Sequence, residues 1–259
     1  MVRHLRYSLG GLRFFVYIFI LFECVLASIA SYLLYYLNCL SWFSAVLLQA
    51  FMDISGHYKQ LFQAYGDSPQ ACQWSSRESQ IYRLTYLLGV TNPNGLQHSD
   101  KILDFGCGTA ALADLLRDVN IQASYTGVDI VDEFLDCGRA KHPHHHFCKQ
   151  GDIQPNQTFD YIFISGTFNN YTGNNELFFE TTMRWCWRHC SHAIAFNLFS
   201  TYVDYQDSGL WYKAPEQTIQ FIKSNFGHST PFQMLNDYVL PSGAIPSEYT
   251  VYVYRQPTK

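Results

Sequence analysis

A glycine turn between a predicted buried strand and a predicted helix is the first feature of this sequence that can hold a ligand. Residues 101–116 read KILDFGCGTAALADLL, in which Gly106 and Gly108 permit a tight turn and a close approach of ligand atoms. The helix predicted from Thr109 offers unpaired backbone N–H groups at its first turn. The spacing also fits the dinucleotide fingerprint G-x-G-x-x-[GA], with Ala111 in the last position. The turn therefore predicts a cofactor site without choosing between cofactors.

Three aspartates at the ends of three predicted strands indicate which cofactor the turn would hold. Asp104 ends the first strand, Asp129 ends the second, and Asp152 follows the third. A carboxylate at Asp104 would repel the pyrophosphate of NAD, whereas it would attract the ammonium and sulfonium groups of S-adenosylmethionine. Asp129 can accept both ribose hydroxyls, and Asp152 can accept the adenine amine while Ile130 and Ile153 cover the ring. The acids favour S-adenosylmethionine, and a nicotinamide dehydrogenase is the alternative.

In this order the motifs resemble those of the class I S-adenosylmethionine-dependent methyltransferases over about residues 72–255. The motifs that carry the resemblance are Asp104-x-Gly106-x-Gly108, Asp129, Gly151-Asp152 and the run FDYIFISG. The resemblance implies that Asp104 helps to hold the amino end of the methionine through the loop of Gly106, Cys107 and Gly108. It likewise implies Asp129 on the ribose and Asp152 on the adenine. One departure is Ala110, where many members carry a third glycine.

Two further parts of the cofactor site follow from the same resemblance. Ser165 and Gly166 would lie beside the reactive sulfonium. Residues 74–83, WSSRESQIYR, resemble the helix that many members place over the cofactor, from which Gln80 and Arg83 would reach the methionine carboxylate. An ordinary amphipathic helix with a solvent-facing Arg83 is the alternative interpretation.

The elements that position these residues alternate between short apolar runs and helical segments, which predicts βαβ units and a parallel sheet. The predicted strands are 101–105, 124–129, 145–149, 159–165, 192–198, 232–238 and 249–255. The predicted helices are about 76–90, 109–119, 132–141, 175–190 and 215–226. The last two strands are joined only by a Pro- and Gly-rich loop and should pair antiparallel. We therefore expect an α/β, Rossmann-like, seven-stranded and mostly parallel sheet with helices on both faces and a C-terminal antiparallel hairpin, preceded by a hydrophobic N-terminal helix.

The N-terminal segment has a different composition. Residues 14–52 carry Glu23 as their sole charge and are long enough to cross a bilayer, and three arginines precede them. We expect two regions, a hydrophobic segment at 1–52 and a catalytic domain at 53–259. The cofactor is intracellular, so we expect a cytoplasmic catalytic domain that associates with a membrane through residues 14–52. A signal peptide and a translated upstream extension that ends before Met52 are the alternatives.

Charge and motif argue against nucleic acid as the methyl acceptor. Without the three basic residues and the one acid of residues 1–50, 14 basic and 20 acidic residues remain, so no basic surplus exists to neutralise phosphates. The fourth strand is followed by SGTFNNYTG rather than by the NPPY or DPPY of amino-methylating nucleic-acid enzymes. We expect methyl transfer to oxygen or nitrogen of a small molecule. A protein methyltransferase and a non-catalytic, membrane-tethered S-adenosylmethionine-binding module are the alternatives.

The expected lining of the acceptor side consists of residues near the ends of the later strands: Phe168, Asn169, Tyr171, Asn197, Tyr202 and Asp237. No catalytic base is assigned, because displacement at a sulfonium is accelerated largely by positioning. The histidine-rich run at 142–146 precedes the third strand, away from the cofactor edge, and the eight cysteines include no CxxC. We therefore predict no metal site and reduced thiols.

Overall fold

The computed structural model describes residues 54–240 and 247–255, together with Tyr32 and Tyr35 of the N-terminal segment. The described residues from 54 onward belong to one compact unit, Met52–Lys259. The predicted hydrophobic segment at 14–52 otherwise lies outside the described residues. Within the described part of the chain, every helix is too short or too polar to cross a membrane.

From residue 54 onward, the described residues form eight strands of one sheet and six α-helices. The strands are β1 (Lys101–Phe105), β2 (Ser124–Val128), β3 (His146–Cys148), β4 (Phe159–Ile164), β5 (Cys190–Ser200), β6 (Tyr212–Lys213), β7 (Phe232–Leu235) and β8 (Glu248–Tyr254). The helices are α1 (described over 54–65), α2 (Arg77–Leu88), α3 (Ala111–Asp118), α4 (Asp132–Lys141), α5 (Asn175–His189) and α6 (Pro215–Phe226).

The sheet has the order β3-β2-β1-β4-β5-β8-β7, and the short β6 pairs with the end of β5. Strands β1 to β5 pair in parallel, whereas β8 runs antiparallel to both β5 and β7. The expected Rossmann-like sheet with a closing antiparallel hairpin is confirmed. Strands β2 and β3 lie on one side of β1, whereas β4 lies on the other, so the strand order reverses between β1 and β4. Open α/β sheets bind ligands at the carboxyl ends of the strands next to such a reversal.

The central strands are apolar on both sides because helices cover both faces. In β4, Ile162 and Ile164 pack into the core cluster on one face, and Phe163 between them packs into the cluster on the other. This alternation is the two-residue period of an extended strand. The rigid centre of the sheet therefore fixes where the strand ends lie.

Three local features differ from the sequence prediction. The strand β6 and the helix α1 were not predicted, because two paired residues and a helix without a recognisable motif give little signal. Helix α3 begins at Ala111 rather than at Thr109, because Ala110 has a left-handed backbone with φ 66°. A side chain in that region costs about 1 kcal/mol, which explains why a glycine suits this position.

Candidate functional site

The glycine turn between β1 and α3 is packed closely on two sides. Gly106 and Gly108 both have left-handed φ angles, 78° and 51°. The N–H groups of Gly106 and Cys107 donate to the last carbonyl of β2, at 2.7 and 3.0 Å. A Cβ on Gly106 would collide with the Thr167 hydroxyl, and one on Gly108 would lie 2.6 Å from the Cys72 sulfur. Conformation and space thus both require glycine here.

Asp129 lies at the end of β2 and is bonded directly to this turn. Its Oδ2 accepts the N–H of Gly108 at 2.9 Å, and its Oδ1 accepts the N–H of Val131 at 3.0 Å. Burial raises the pKa of the carboxyl, while the N–H groups of Val131, Gly108 and Ile130 act in the opposite direction. The structure therefore brings together the first two motifs of the predicted site.

Asp104 is buried beneath the turn, only 3% exposed. Its Oδ2 accepts the Tyr125 hydroxyl at 2.7 Å. Burial raises the pKa of Asp104 to about 7; the Tyr125 hydrogen bond opposes the rise, and the charge of Asp129 adds to it. Asp104 does not face an open surface, so an effect on a ligand would pass through the glycine loop.

The third predicted acid has a different environment. Asp152 is exposed and caps its own short helical turn, with Oδ2 accepting the backbone N–H of Lys149 at 3.0 Å. Its second carboxylate oxygen accepts no hydrogen bond from the described residues. Ile153 is buried, and Ile130 is exposed. The Asp152 carboxylate is thus accessible to a ligand, and its contact with an adenine stays a prediction.

The turn after β4 brings several predicted residues together. Gly166 has φ 71°, and its N–H donates to Asn197 Oδ1 on β5 at 2.9 Å. A Cβ on Gly166 would lie 2.9 Å from the Trp74 ring and 3.4 Å from Asn169 Nδ2. The hydroxyl oxygen of Ser165 is buried and has no hydrogen-bond partner among the described residues. A buried polar atom without a partner costs free energy unless a ligand satisfies it.

Helix α2 carries the two residues predicted to reach the methionine carboxylate. The helix begins after Ser76, whose hydroxyl accepts the N–H of Ser79 at 3.1 Å. Gln80 is buried. The Arg83 side chain does not face solvent: its Nε donates to Glu248 at 2.6 Å, and its guanidinium lies 5.1 Å from the centroid of the Trp74 ring. The alternative of a solvent-facing Arg83 is wrong.

The six predicted acceptor-side residues do not form one cluster. The Phe168 ring is fully buried and packs against Phe178 and Phe179 of α5, so this residue belongs to the core. Tyr171 and Tyr202 are exposed, and the Tyr202 hydroxyl donates to Glu216 of α6. The remaining predicted residues are Asn169 and Asn197 beside Gly166 and the exposed Asp237 beyond β7. The two asparagines are thus the members of this set that touch the turn.

Four residues near the site were not predicted. Asn170 Nδ2 donates to the Tyr58 hydroxyl of α1 at 2.9 Å and to Gln73 Oε1 at 2.6 Å. Cys72 covers Gly108, and its thiol pKa is raised to about 12, mainly by burial. The segment 54–74 therefore covers the turns after β1 and β4. No sequence motif predicts these contacts, because they depend on how residues 54–74 pass over the edge of the sheet.

The side chains of the histidine-rich run at 142–146 make packing contacts with one another and with neighbouring residues. His142 Nε2 bonds Asp114 of α3 at 2.9 Å, and His142 stacks on His145, whose ring also contacts Tyr125. Among residues 54–240 and 247–255, no group of three or more His, Cys, Asp or Glu is placed to hold a metal.

A family model described as a methyltransferase domain matches residues 74–172, which run from Trp74 through the turns after β1 and β4. No curated protein is similar enough to match the chain.

Several solved structures share the fold at low sequence identity. A chain of the Pnkp1/Rnl/Hen1 RNA repair complex is similar with a TM-score of 0.53 and 15% identity over 68% of this chain and 42% of that one. The complex of the Haloferax volcanii Trm112 methyltransferase activator with a putative methyltransferase gives 0.51 and 11% over 77% and 93%. The magnesium protoporphyrin IX methyltransferase from Synechocystis PCC 6803 with bound SAH gives 0.50 and 11% over 70% and 83%.

These neighbours differ in the molecules that their names mention, so the shared fold does not determine an acceptor. The matched domain and the sheet order agree on the type of enzyme. Residues 74–172 thus match a methyltransferase domain, and the sheet has the Rossmann-like fold of S-adenosylmethionine-dependent methyltransferases.

Proposed function

We propose that this enzyme transfers a methyl group from S-adenosylmethionine to an oxygen or nitrogen of a small molecule. The observation that carries the cofactor site is Asp129, whose buried carboxylate is bonded to the glycine turn through Gly108. A carboxylate fixed in this way at the end of β2 would accept the ribose hydroxyls with its remaining lone pairs. Residues 53–259 would form the catalytic domain.

The remaining cofactor contacts follow from the same edge of the sheet. Asp152 would accept the adenine amine between Ile130 and Ile153, and the loop of Gly106, Cys107 and Gly108 would hold the methionine part. Gln80 and Arg83 would contact the methionine carboxylate from α2. Support for a ligand at the turn after β4 comes from the buried hydroxyl of Ser165, which has no partner among the described residues.

The bound cofactor supplies an electrophilic methyl group on a sulfonium. The protein residues would orient the cofactor, exclude water and hold the acceptor in line. Asn197 fixes the Gly166 N–H, and Trp74 packs on the same turn. Both contacts would limit the space in which an acceptor atom can approach.

The covering segment supports a small acceptor. Tyr58 and Gln73 both accept hydrogen bonds from Asn170, so α1 and the residues before α2 are tied to the loop after β4. Trp211 adds a backbone hydrogen bond to Asn169 at 2.8 Å. These hydrogen bonds hold the covering segment against the loop after β4, which would favour a small acceptor over a polymer. The acidic composition provides no surplus of cations for a phosphate backbone.

Calorimetric titration of the full chain with S-adenosylmethionine, S-adenosylhomocysteine and NAD tests the cofactor. We expect binding of the two sulfur compounds and no binding of NAD. Asp129→Asn should weaken both by at least about tenfold, since a hydrogen bond to a charged acceptor contributes about 1.5–3 kcal/mol. Asp118→Asn, which changes an exposed aspartate on α3, is the matched control. Unchanged affinity in Asp129→Asn would refute the ribose assignment.

Methyl-labelled cofactor tests the acceptor class. The full chain is incubated with labelled S-adenosylmethionine and with separate small-molecule, protein and RNA fractions of a cell extract. We expect enzyme-dependent label in the small-molecule fraction. Label confined to the protein or RNA fraction would overturn the small-molecule proposal while leaving the cofactor site intact.

A further inference from the structure

Glu248 is a buried carboxylate at the start of β8, where that strand pairs with the end of β5. Its side chain is 2% exposed and collects hydrogen bonds from three other parts of the chain. Oε1 accepts Arg83 Nε at 2.6 Å and the Tyr238 hydroxyl at 3.0 Å. Oε2 accepts Asn197 Nδ2 at 3.4 Å. Glu248 therefore joins α2, the segment after β7, and β5.

The bond to Asn197 determines which way that amide points. With Nδ2 directed at the Glu248 carboxylate, Oδ1 must face the N–H of Gly166, and it accepts that N–H at 2.9 Å. If the amide were turned by 180°, its oxygen would face the Glu248 carboxylate and its NH₂ group would face the Gly166 N–H. Neither pair could form a hydrogen bond. The charge on Glu248 thus fixes the turn after β4 through one intervening side chain.

The bond to Arg83 leads back to the same turn by a second route. The guanidinium lies over the Trp74 ring, and that ring occupies the space next to Gly166. The contacts Gly166–Asn197–Glu248–Arg83–Trp74–Gly166 close into a loop, which we call the Glu248 network. The buried hydroxyl of Ser165 adjoins this network.

Folding alone does not require an ion pair at this place. Burying two charges is costly, and apolar residues of similar volume commonly replace such pairs without loss of stability. Burial raises the pKa of Glu248, and Arg83 is the largest opposing influence. A charge kept here against that cost points to a role in the site.

We propose that Glu248 is a positioning residue for methyl transfer, which orients Asn197 and Arg83 and through them the Ser165-Gly166 turn beside the sulfonium. This inference rests on the proposed function. It assigns Glu248 and Tyr238 to the site, although neither belongs to the motifs that carry the family resemblance.

The first test is Glu248→Gln in the full chain, measured by titration with S-adenosylmethionine and S-adenosylhomocysteine. The amide oxygen of the new side chain would face the two donors Arg83 and Tyr238, so its NH₂ group would face Asn197. Asn197 would then have to turn over and direct Nδ2 at the Gly166 N–H. We expect both affinities to fall about tenfold, as for the loss of one hydrogen bond at a charged group.

The second test combines Glu248→Gln with Asn197→Asp. A carboxylate at position 197 accepts both the Gly166 N–H and the NH₂ group of the amide at 248, so every hydrogen bond of the network is restored. The negative charge has moved from 248 to 197, closer to the turn. We expect the S-adenosylhomocysteine affinity to recover to within about threefold of the native value. The preference for the sulfonium over the neutral product should rise above native by about threefold or more.

Glu180→Gln is the matched control, because it removes a carboxylate from a surface pair with Arg184 on α5. It should leave both affinities unchanged. Native affinities in Glu248→Gln would overturn the proposal. So would a folded double variant without recovery, or two variants that both fail to fold, since Glu248 would then serve stability alone. Failure of the native chain to bind either sulfur compound would instead reject the proposed function.

Discussion

The buried Asp104 should make the free protein less stable as the pH rises. Its pKa is about 7 in the folded chain and 3.8 without the fold, mainly because burial disfavours the charged form. Between these values the folded state binds more protons than the unfolded state does. The stabilisation is thus complete below the unfolded pKa and is lost as the pH rises through the folded pKa.

The size of this effect follows from the two pKa values. Linkage over a shift of this size gives a loss of about 2–3 kcal/mol in the free energy of unfolding between pH 5 and pH 8. The variant Asp104→Asn has no such titration, and its amide oxygen can still accept the Tyr125 hydroxyl. The free energy of unfolding of the variant, measured relative to that of the native chain, should therefore rise by about 2–3 kcal/mol between pH 5 and pH 8.

Urea unfolding of both full-length proteins at several pH values measures the difference directly. The comparison cancels titrating groups whose charge does not act on Asp104, including Glu248, whose pKa burial also raises. Asp118→Asn serves as the control for an exposed aspartate. A difference between Asp104→Asn and the native chain that stays constant from pH 5 to pH 8 would refute the argument.

Two further predictions concern the residues around the glycine turn. Ala110→Gly should raise the free energy of unfolding by up to about 1 kcal/mol in the same urea assay, because it relieves a left-handed alanine; a loss of stability would contradict this. Cys72 should resist alkylation by iodoacetamide at pH 8 until the chain is unfolded, because its pKa of about 12 leaves almost no thiolate. Peptide mass spectrometry measures the modification, and rapid labelling of folded Cys72 would contradict the raised pKa and the close contact of the thiol with Gly108.

The parts of the fold that the sequence predicts are those with strong local signals. Strands β1 and β4 are short, largely apolar and mostly buried, and their predicted starts at Lys101 and Phe159 agree with the structure. The closing hairpin was predictable because no helix separates the last two strands. The pairing of Tyr212 and Lys213 with the end of β5 depends on tertiary contacts and left no pattern to find.

In the candidate site, likewise, some residues could be predicted from local sequence signals and others could not. The positions of Asp104, Asp129 and Gly166 were predictable because parallel strands end at one edge, and each residue ends a strand or follows one. Their partners were not, since Tyr125 and Asn197 come from neighbouring strands whose register the sequence does not state. Phe168 shows the opposite error: its place after β4 suggested the acceptor side, but its ring turns into the core.

Residues that cover the site had the least sequence signal. Tyr58 and Cys72 reach it from a segment that precedes the matched domain, and Glu248 reaches it from the antiparallel strand. Each contact joins residues that are far apart in the chain, so no spacing rule describes it. Gly108 is the only indirect signal for these contacts, because a glycine next to a helix start indicates a left-handed backbone, a ligand or a close side chain.

Three of the four buried acids among the described residues, Asp104, Asp129 and Glu248, have one property in common. Burial raises the pKa of each, so each lowers the stability of the folded chain near neutral pH. Hydrogen bonds from Tyr125, from backbone N–H groups and from Arg83 offset only part of this cost. A cationic ligand at the adjoining turns would offset the rest, since its charge favours all three carboxylates at once. The sulfonium and ammonium groups of S-adenosylmethionine provide such a charge, whereas the pyrophosphate of NAD would increase the cost.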